Sequence, residues 1–442
     1  MKNHYHPART AIVLLLLLTA FSITYSQTPP TSDDRHNAKA MLSTIKSDLQ
    51  KHYYDPQYRG MNLDERFKLA EEKLDQAATL AQLLGIVGQV LLDLDDSHTF
   101  FLPPGRTYKT DYGWQMKAIG DRCFVVAVKP KSDAEVKGLQ EGDEIVSIDG
   151  MKPTRNNVWK ILYLYHQIRP RPGMRLIVTK PNGEQKQLDV AAKVQEGKKV
   201  VNVSVYGQGY DTNELIREAE REAHLNRQRY VEIGDAFVWK MPGFDQDPVQ
   251  VRDMLDKFKK RKTLILDLRG NGGGYEDTLL ALIGSVFDRE VKVGDIKRRK
   301  EEKEIKAKSR GTEAFTGKII VLIDSESGSA SELFARVVQL EKRGTVIGDR
   351  SAGSVMRSRV HSHTIGTDRY IPYAVSITDA DIIMMDGKSI EHVGVVPDEV
   401  KLPSATELAS KHDSVLAYAL SLAGVEITAE KAGTFFPIEW RK

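Results

Sequence analysis

Four serines alternate with other residues, most of them small, in Ile323-Asp324-Ser325-Glu326-Ser327-Gly328-Ser329-Ala330-Ser331-Glu332. An apolar, β-branched run, Lys318-Ile319-Ile320-Val321-Leu322, precedes this stretch, and a helix-like segment, Leu333-Phe334-Ala335-Arg336-Val337-Val338, follows it. A small-residue turn between a strand and a helix holds a side chain up at the strand's end. It also aims free backbone N–H groups at whatever sits there. A serine so held can act as a nucleophile beside an oxyanion site. The plainer alternative is that serine and glycine simply make the turn and cap the helix.

The segment Leu264-Ile265-Leu266-Asp267-Leu268-Arg269-Gly270-Asn271-Gly272-Gly273-Gly274 repeats the pattern of an apolar strand entering a turn, with helical Thr278–Ile283 beyond. Successive glycines let a backbone approach a ligand closely and adopt φ > 0 without strain. A phosphate loop is disfavoured, because no Gly-Lys-Ser/Thr follows and the glycine spacing is wrong. Two more segments carry ionisable groups: Leu94-Asp95-Asp96-Ser97-His98-Thr99, and Ser389-Ile390-Glu391-His392-Val393-Gly394-Val395-Val396-Pro397-Asp398. Taken alone, His98 reads as an exposed loop histidine capping the preceding helix.

These four segments, in this order, resemble those of the C-terminal-processing (tail-specific) serine proteases and their tricorn-like relatives. The resemblance covers nearly all of the chain after its leader. It implies that Ser329 carries the nucleophile and that the turn from Arg269 to Gly274 helps form the oxyanion hole. The donors would be the N–H of Ala330 and one from Gly272 or Gly273. The processing proteases place a general-base lysine in a Gly-Lys-Gly turn after the serine helix. The matching segment here, Ile347-Gly348-Asp349-Arg350-Ser351-Ala352-Gly353-Ser354-Val355, holds Ser354 at that position. A hydroxyl is no base near neutral pH. The tricorn-like branch uses a Ser-His pair and a glutamate, and this chain has both, at Ser97-His98 and Glu391.

The implied arrangement is Ser/His/Glu in the chain order His98, Ser329, Glu391, recognised by role and not by order. Ser329 Oγ attacks a peptide carbonyl. His98 takes its proton and returns it to the leaving amine. Glu391 orients or charge-stabilises His98, through Ser97. His392 is a rival base, ranked below His98 because only His98 matches the tricorn-like pattern. His361 and His363 alternate and could share one face of a strand. With no cysteine or third ligand nearby they read as a strand-surface pair and not a metal site. No metal or cofactor is expected.

Residues 1–26 read as a secretory signal: Lys2 and Arg9, then the apolar core Ala11–Phe21, then Thr24 and Ser26 flanking a cleavage site before Gln27. The apolar run is short of the roughly 20 residues a span needs. A second such run is missing, so the mature chain is expected without a membrane span, in a bacterial periplasm or secreted. The single cysteine, Cys123, forbids an intrachain disulfide and sits in an apolar strand-like setting, as a buried thiol does. Basic and acidic residues nearly balance, 64 against 61, for a net charge of +3, which argues against nucleic acid as the main partner. The mixed-sign run Lys297–Lys308 reads as a solvated hairpin or surface insertion.

The fold class expected is α/β and multidomain: an N-terminal helical domain, an inserted PDZ domain rich in β-structure, and a C-terminal α/β protease core. With 442 residues the chain has room for about three domains. Residues 27–111 form the helical one, because Ala38, Met41, Leu42, Ile45 and Leu49 recur at helical spacing, as do Phe67, Ala70, Leu74 and Ala77, and then Leu83, Ile86, Val87, Val90 and Leu91. Residues 112–193 resemble a PDZ domain in Gly138–Gly150 and in the strand and hairpin Leu176–Glu184. A PDZ groove adds an extended peptide as a strand and would deliver polypeptide substrates. Residues 194–442 form the core, with Tyr206–Tyr230 as its polar link to the PDZ domain. The leading function is thus an exported serine endopeptidase acting on unfolded or tail-exposed proteins. The alternative is a catalytically inactive PDZ scaffold that binds peptides or ligands.

Overall fold

A computed structural model describes residues 29–106, 108–196, 225, 227–366 and 370–440. The expected signal segment therefore lies outside the described residues, as does most of Tyr206–Tyr230. The architecture is mixed α/β with several sheets.

Three helices open the described residues: α1 Ser32–His52, α2 Leu63–Gln76 and α3 Leu80–Leu92. Each starts on a side chain that accepts from the first turn, Thr31, Asn62 and Thr79 respectively. Their apolar stripes, Ile45 and Leu49, Phe67 and Leu74, Leu83 and Val87, bury together against Phe101, Tyr373, Val375 and Ile377. The helices thus rest on a sheet, and that sheet receives the segment carrying His98.

Strand β1, Phe100–Leu102, follows His98 directly. Strand β2, Tyr108–Asp111, comes next. A five-stranded antiparallel sheet follows, in the order β3 Trp114–Ile119, β4 Arg122–Val128, β5 Glu144–Ile148, β6 Gly173–Thr179 and β7 Gln185–Ala191. Helices α4 Asp133–Val136 and α5 Val158–Tyr163 accompany it, and β8 Lys193–Glu196 returns to pair with β2. This unit has its own apolar core, including Trp114, Met116, Val125, Ile145, Leu176 and Val190. Cys123 lies in that core, and burial pushes its thiol up to about 11.

The remainder is built on a six-stranded sheet. Strands β9 Arg229–Ile233, β10 Ala236–Lys240 and β11 Thr263–Asp267 come first. Helices α6 Pro248–Phe258 and α7 Glu276–Val286 flank β11 in sequence. The hairpin β12 Val291–Lys297 and β13 Glu302–Ala307 contains the mixed-charge run, and turns between Arg298 and Glu301. Then come β14 Lys318–Ile323, α8 Ala330–Leu340 and β15 Thr345–Gly348. The long hairpin β16 Met356–Ile365 and β17 Ile371–Met384 is followed by β18 Glu399–Val400. Helices α9 Ala405–Ala409, α10 Ser414–Leu422 and α11 Ala429–Gly433 close the described chain.

The six-stranded order is β18-β15-β14-β11-β10-β9, parallel except for the β9–β10 hairpin. Both faces are covered, so its strands read as continuous apolar runs. Alternate residues separate the two sides. Phe237, Trp239, Leu264, Leu266, Val321 and Ile323 meet α6, α7 and α8. Val238, Ile265, Ile320 and Leu322 meet α10 and α11. A second sheet joins β1, β17, β12 and β13 in that order, with β16 on β17. It draws His98 toward the turns at the ends of β11 and β14.

Candidate active site

Ser329 is the residue before α8, at the end of the turn that leaves β14. Its backbone sits at φ 51° and ψ −117°. Positive φ is uncommon for a residue with a Cβ and persists only where surroundings hold it, at about 1–3 kcal/mol. The Ser329 N–H is held twice, by Ser354 O at 2.8 Å and Glu332 Oε2 at 3.0 Å.

The glycine turn after β11 packs directly on this residue. Arg269 pins its start, paired with Asp267 at 2.7 Å and with Asp413 at 2.8 Å. Gly270 N–H donates to Asp324 Oδ1 at 2.9 Å, and Gly328 N–H donates to Asn271 O at 2.9 Å. Gly273 has φ 102°, and a Cβ there would lie 2.6 Å from Ser329 Cβ. Of the two glycines expected as oxyanion donors, Gly273 is engaged, since its N–H donates to Asn271 Oδ1 at 2.9 Å. Among the described residues the amides of Gly272 and Ala330 have no partner. Ala330 N–H is free because it opens a helix. Two unpaired amides thus flank the Ser329 turn, as an oxyanion site requires.

His98 arrives from the far end of the chain. Asp96, fully buried, fixes its loop by accepting from His98 N at 2.9 Å, Thr99 N at 3.0 Å, Thr378 Oγ1 at 2.6 Å and Tyr53 OH at 2.9 Å. Ser376 Oγ on β17 donates to His98 O at 2.7 Å. His98 Nδ1 lies 2.7 Å from Ser97 Oγ, and Ser97 Oγ donates to Glu391 Oε2 at 3.0 Å. Glu391 also accepts from Ser97 N at 3.1 Å and Val355 N at 2.7 Å. Burial lowers the His98 pKa from its ordinary value, against the pull of Asp96, so the ring is held neutral. Burial raises Glu391, against the amides and hydroxyl that favour its charged form.

The three expected groups are stitched together through one loop. Ser354 O accepts from Ser329, and the next amide, Val355 N, donates to Glu391. Ser354 therefore contributes backbone here, at the position where the processing proteases carry lysine. No hydrogen bond joins Ser329 Oγ to the His98 ring among the described residues; catalytic hydrogen bonds often tighten only around substrate. His392 points its Nε2 at Asp95 O, 2.8 Å away. His363 bonds Asp48 at 2.6 Å and His361 stacks on His52 at 4.4 Å, so each of the paired histidines has a protein partner.

Two residues at this site escaped the sequence reading. Asp96 had a local signal, an aspartate two positions before the histidine, where its side chain can close a turn on the backbone. Glu332 had only a capping signal, three residues after Ser329.

A cavity of about 600 Å³ opens beside β3, an edge strand among the described residues. Trp114, Met116, Ile161 and Tyr165 line it, and so does Glu326 from the turn that carries Ser329. Trp114 Nε1 is buried without a hydrogen-bond partner among the described residues.

Residues 238–400 match the family described as peptidase family S41. The tail-specific protease of Haemophilus influenzae is 23% identical over 377 residues, covering 80% of this chain and 51% of its own. This chain therefore spans about half the length of that relative. The crystal structure of mature CPAF superposes with a TM-score of 0.63 at 15% identity, over 86% of this chain and 95% of that one. The photosystem II D1 C-terminal processing protease gives a TM-score of 0.50 at 18% identity, over 84% and 93%. At such identities the structural likeness speaks to fold alone.

Proposed function

With residues 238–400 in peptidase family S41, we propose that this chain is a serine endopeptidase that cleaves polypeptides through an acyl-enzyme on Ser329. The observation that carries the proposal is the hydrogen-bonded run Glu391–Ser97–His98, made by residues 294 positions apart in the chain. Glu391 accepts a hydrogen bond from the Ser97 hydroxyl, so Ser97 Oγ accepts from His98 Nδ1–H. That leaves Nε2 as the free base for the Ser329 proton. The Gly272 and Ala330 amides receive the charge that develops on the carbonyl oxygen. His98 then protonates the leaving amine, and water hydrolyses the ester by the same relay.

Residues 112–193 are read as a PDZ domain whose groove is the cavity beside β3. An unpaired strand edge can add an extended peptide, and Glu326 joins that cavity to the nucleophile turn. Unfolded or tail-exposed proteins are the substrates this route suits. The chain is read as exported, on the leader at residues 1–26. No helix among the described residues is long and apolar enough to cross a membrane.

Intact mass after fluorophosphonate treatment tests the reading. The expected result is one adduct on the wild type and none on Ser329→Ala or His98→Ala. An unlabelled wild type that still binds peptides would favour the inactive scaffold instead.

A further inference from the structure

We propose that Glu332 is a positioning residue for Ser329: its ionised carboxylate clamps the strained nucleophile to loop 351–354, and protonation releases the clamp. This rests on the reading of Ser329 as the nucleophile.

Glu332 is fully buried. Its Oε1 accepts from Ser351 Oγ at 2.5 Å and Gly353 N at 2.7 Å. Its Oε2 accepts from Ser354 N at 2.9 Å and Ser329 N at 3.0 Å. A helix-capping role explains the contact with Ser329, because glutamate at this position reaches back to the cap. It does not explain three donors from another loop. Those donors make the carboxylate a bridge. One side holds a serine at φ 51° that needs outside support. The other holds the loop whose next amide, Val355 N, binds Glu391. The clamp therefore sets where the nucleophile sits relative to the histidine relay.

The bridge works only when charged. All four partners are donors, so a carboxyl proton would face amides. Only the Ser351 hydroxyl could turn to receive it, and its oxygen already accepts from Val395 N at 2.6 Å. Burial pushes Glu332 up to about 7, while the Ser351, Gly353, Ser354 and Ser329 donors oppose that rise. The four groups bonded to it, Ser329, Ser351, Gly353 and Ser354, are uncharged, and Arg336, one turn further along α8, pairs with Asp386 at 2.7 Å. The ionisable group bound across that loop is Glu391.

The test is the rate of fluorophosphonate labelling against pH, on the full chain. Wild-type labelling should fall as pH drops through about 7. Glu332→Gln should label about tenfold to a hundredfold more slowly at the alkaline plateau and lack that fall, keeping only the lower one set by His98. Ser351→Ala removes a donor from the charged form, so the fall should move to higher pH. It also decides the matter if Glu332→Gln does not fold. A Glu332→Gln protein with wild-type rate and profile overturns the clamp, as does a Ser351→Ala profile that stays in place. Ser329→Ala taking the label would instead sink the nucleophile assignment, and the clamp with it.

Discussion

Ser97 decides which nitrogen of His98 is basic. A serine hydroxyl can donate one hydrogen bond, and here it donates to Glu391 Oε2 at 3.0 Å. The oxygen must then accept from His98 Nδ1–H, which frees Nε2. Ser97→Ala should lower kcat about a hundredfold with KM nearly unchanged; steady-state kinetics on a peptide showing wild-type kcat would remove Ser97 from the relay. In the proposed mechanism the base must be neutral to work, and burial lowers His98 below its ordinary 6.5. The part of the activity governed by His98 should therefore survive below that value and disappear as pH falls further. Gly273→Ala tests the close packing of the glycine turn, because the new Cβ meets Ser329 Cβ at 2.6 Å at a φ of 102°. A folded Gly273→Ala protein, judged by circular dichroism, should fail to label at Ser329; normal labelling would mean the turn can retreat without harm. The segments holding Ser329, Ser97 and Glu391 were legible as candidates because they carry recognisable patterns. Asp96 and Glu332 were not, because their importance lies in partners such as Tyr53 and Gly353 that are far away in sequence.

Helix α1 and strand β16 show what local patterns can and cannot disclose. The α1 stripe and its Thr31 cap are written in nearby residues, so the helix is legible. The same holds for β11 and β14, whose apolar runs end at glycine or serine turns. The pairing of β1 with β17 has no such signature. It joins Phe100 to Ser376 across most of the chain, and register of that kind depends on tertiary packing. Where α1 meets β16, His52 stacks on His361 at 4.4 Å, with His363 and Asp48 paired beside them. Burial lowers His361 first, and His52, His363 and Arg359 add to this while Asp48 opposes it. A histidine with a depressed folded pKa favours the unfolded state once that state binds the extra proton. Stability from this contact is thus present above 6.5 and is lost as pH falls below it, toward the lower folded value. His361→Gln should flatten the acid dependence of Tm; an identical slope in thermal melts would show that the stack carries no such linkage.

At the scale of the whole molecule, the five-stranded unit is docked beside the turn that carries Ser329 by a few polar contacts. Lys117 on β3 pairs with Asp324 at 2.7 Å, and Ser325 Oγ donates to Ala118 O at 2.5 Å. Arg155 pairs with Asp349 and donates to Arg350 O at 2.8 Å, and Gly120 N–H donates to Asp349 at 2.9 Å. The Arg155 and Asp349 side chains are only 9% and 10% exposed. Removing one partner of such a pair leaves a buried charge uncompensated, at about 3–5 kcal/mol. That cost falls on the docking and not on the unit's own core, which is packed from Trp114, Val125 and Leu176. Arg155→Ala should therefore let the five-stranded unit separate before it melts, adding a low-temperature transition in calorimetry. Because Asp324 and Ser325 belong to the turn that ends at Ser329, the same variant should label more slowly with fluorophosphonate. Restoring a cation with Arg155→Lys should recover part of both effects, since lysine supplies the charge without the forked contact to Arg350 O. A single unshifted transition with normal labelling would mean that the Ser329 turn holds its shape without the docked sheet, and that a peptide on β3 has no structural path to Ser329.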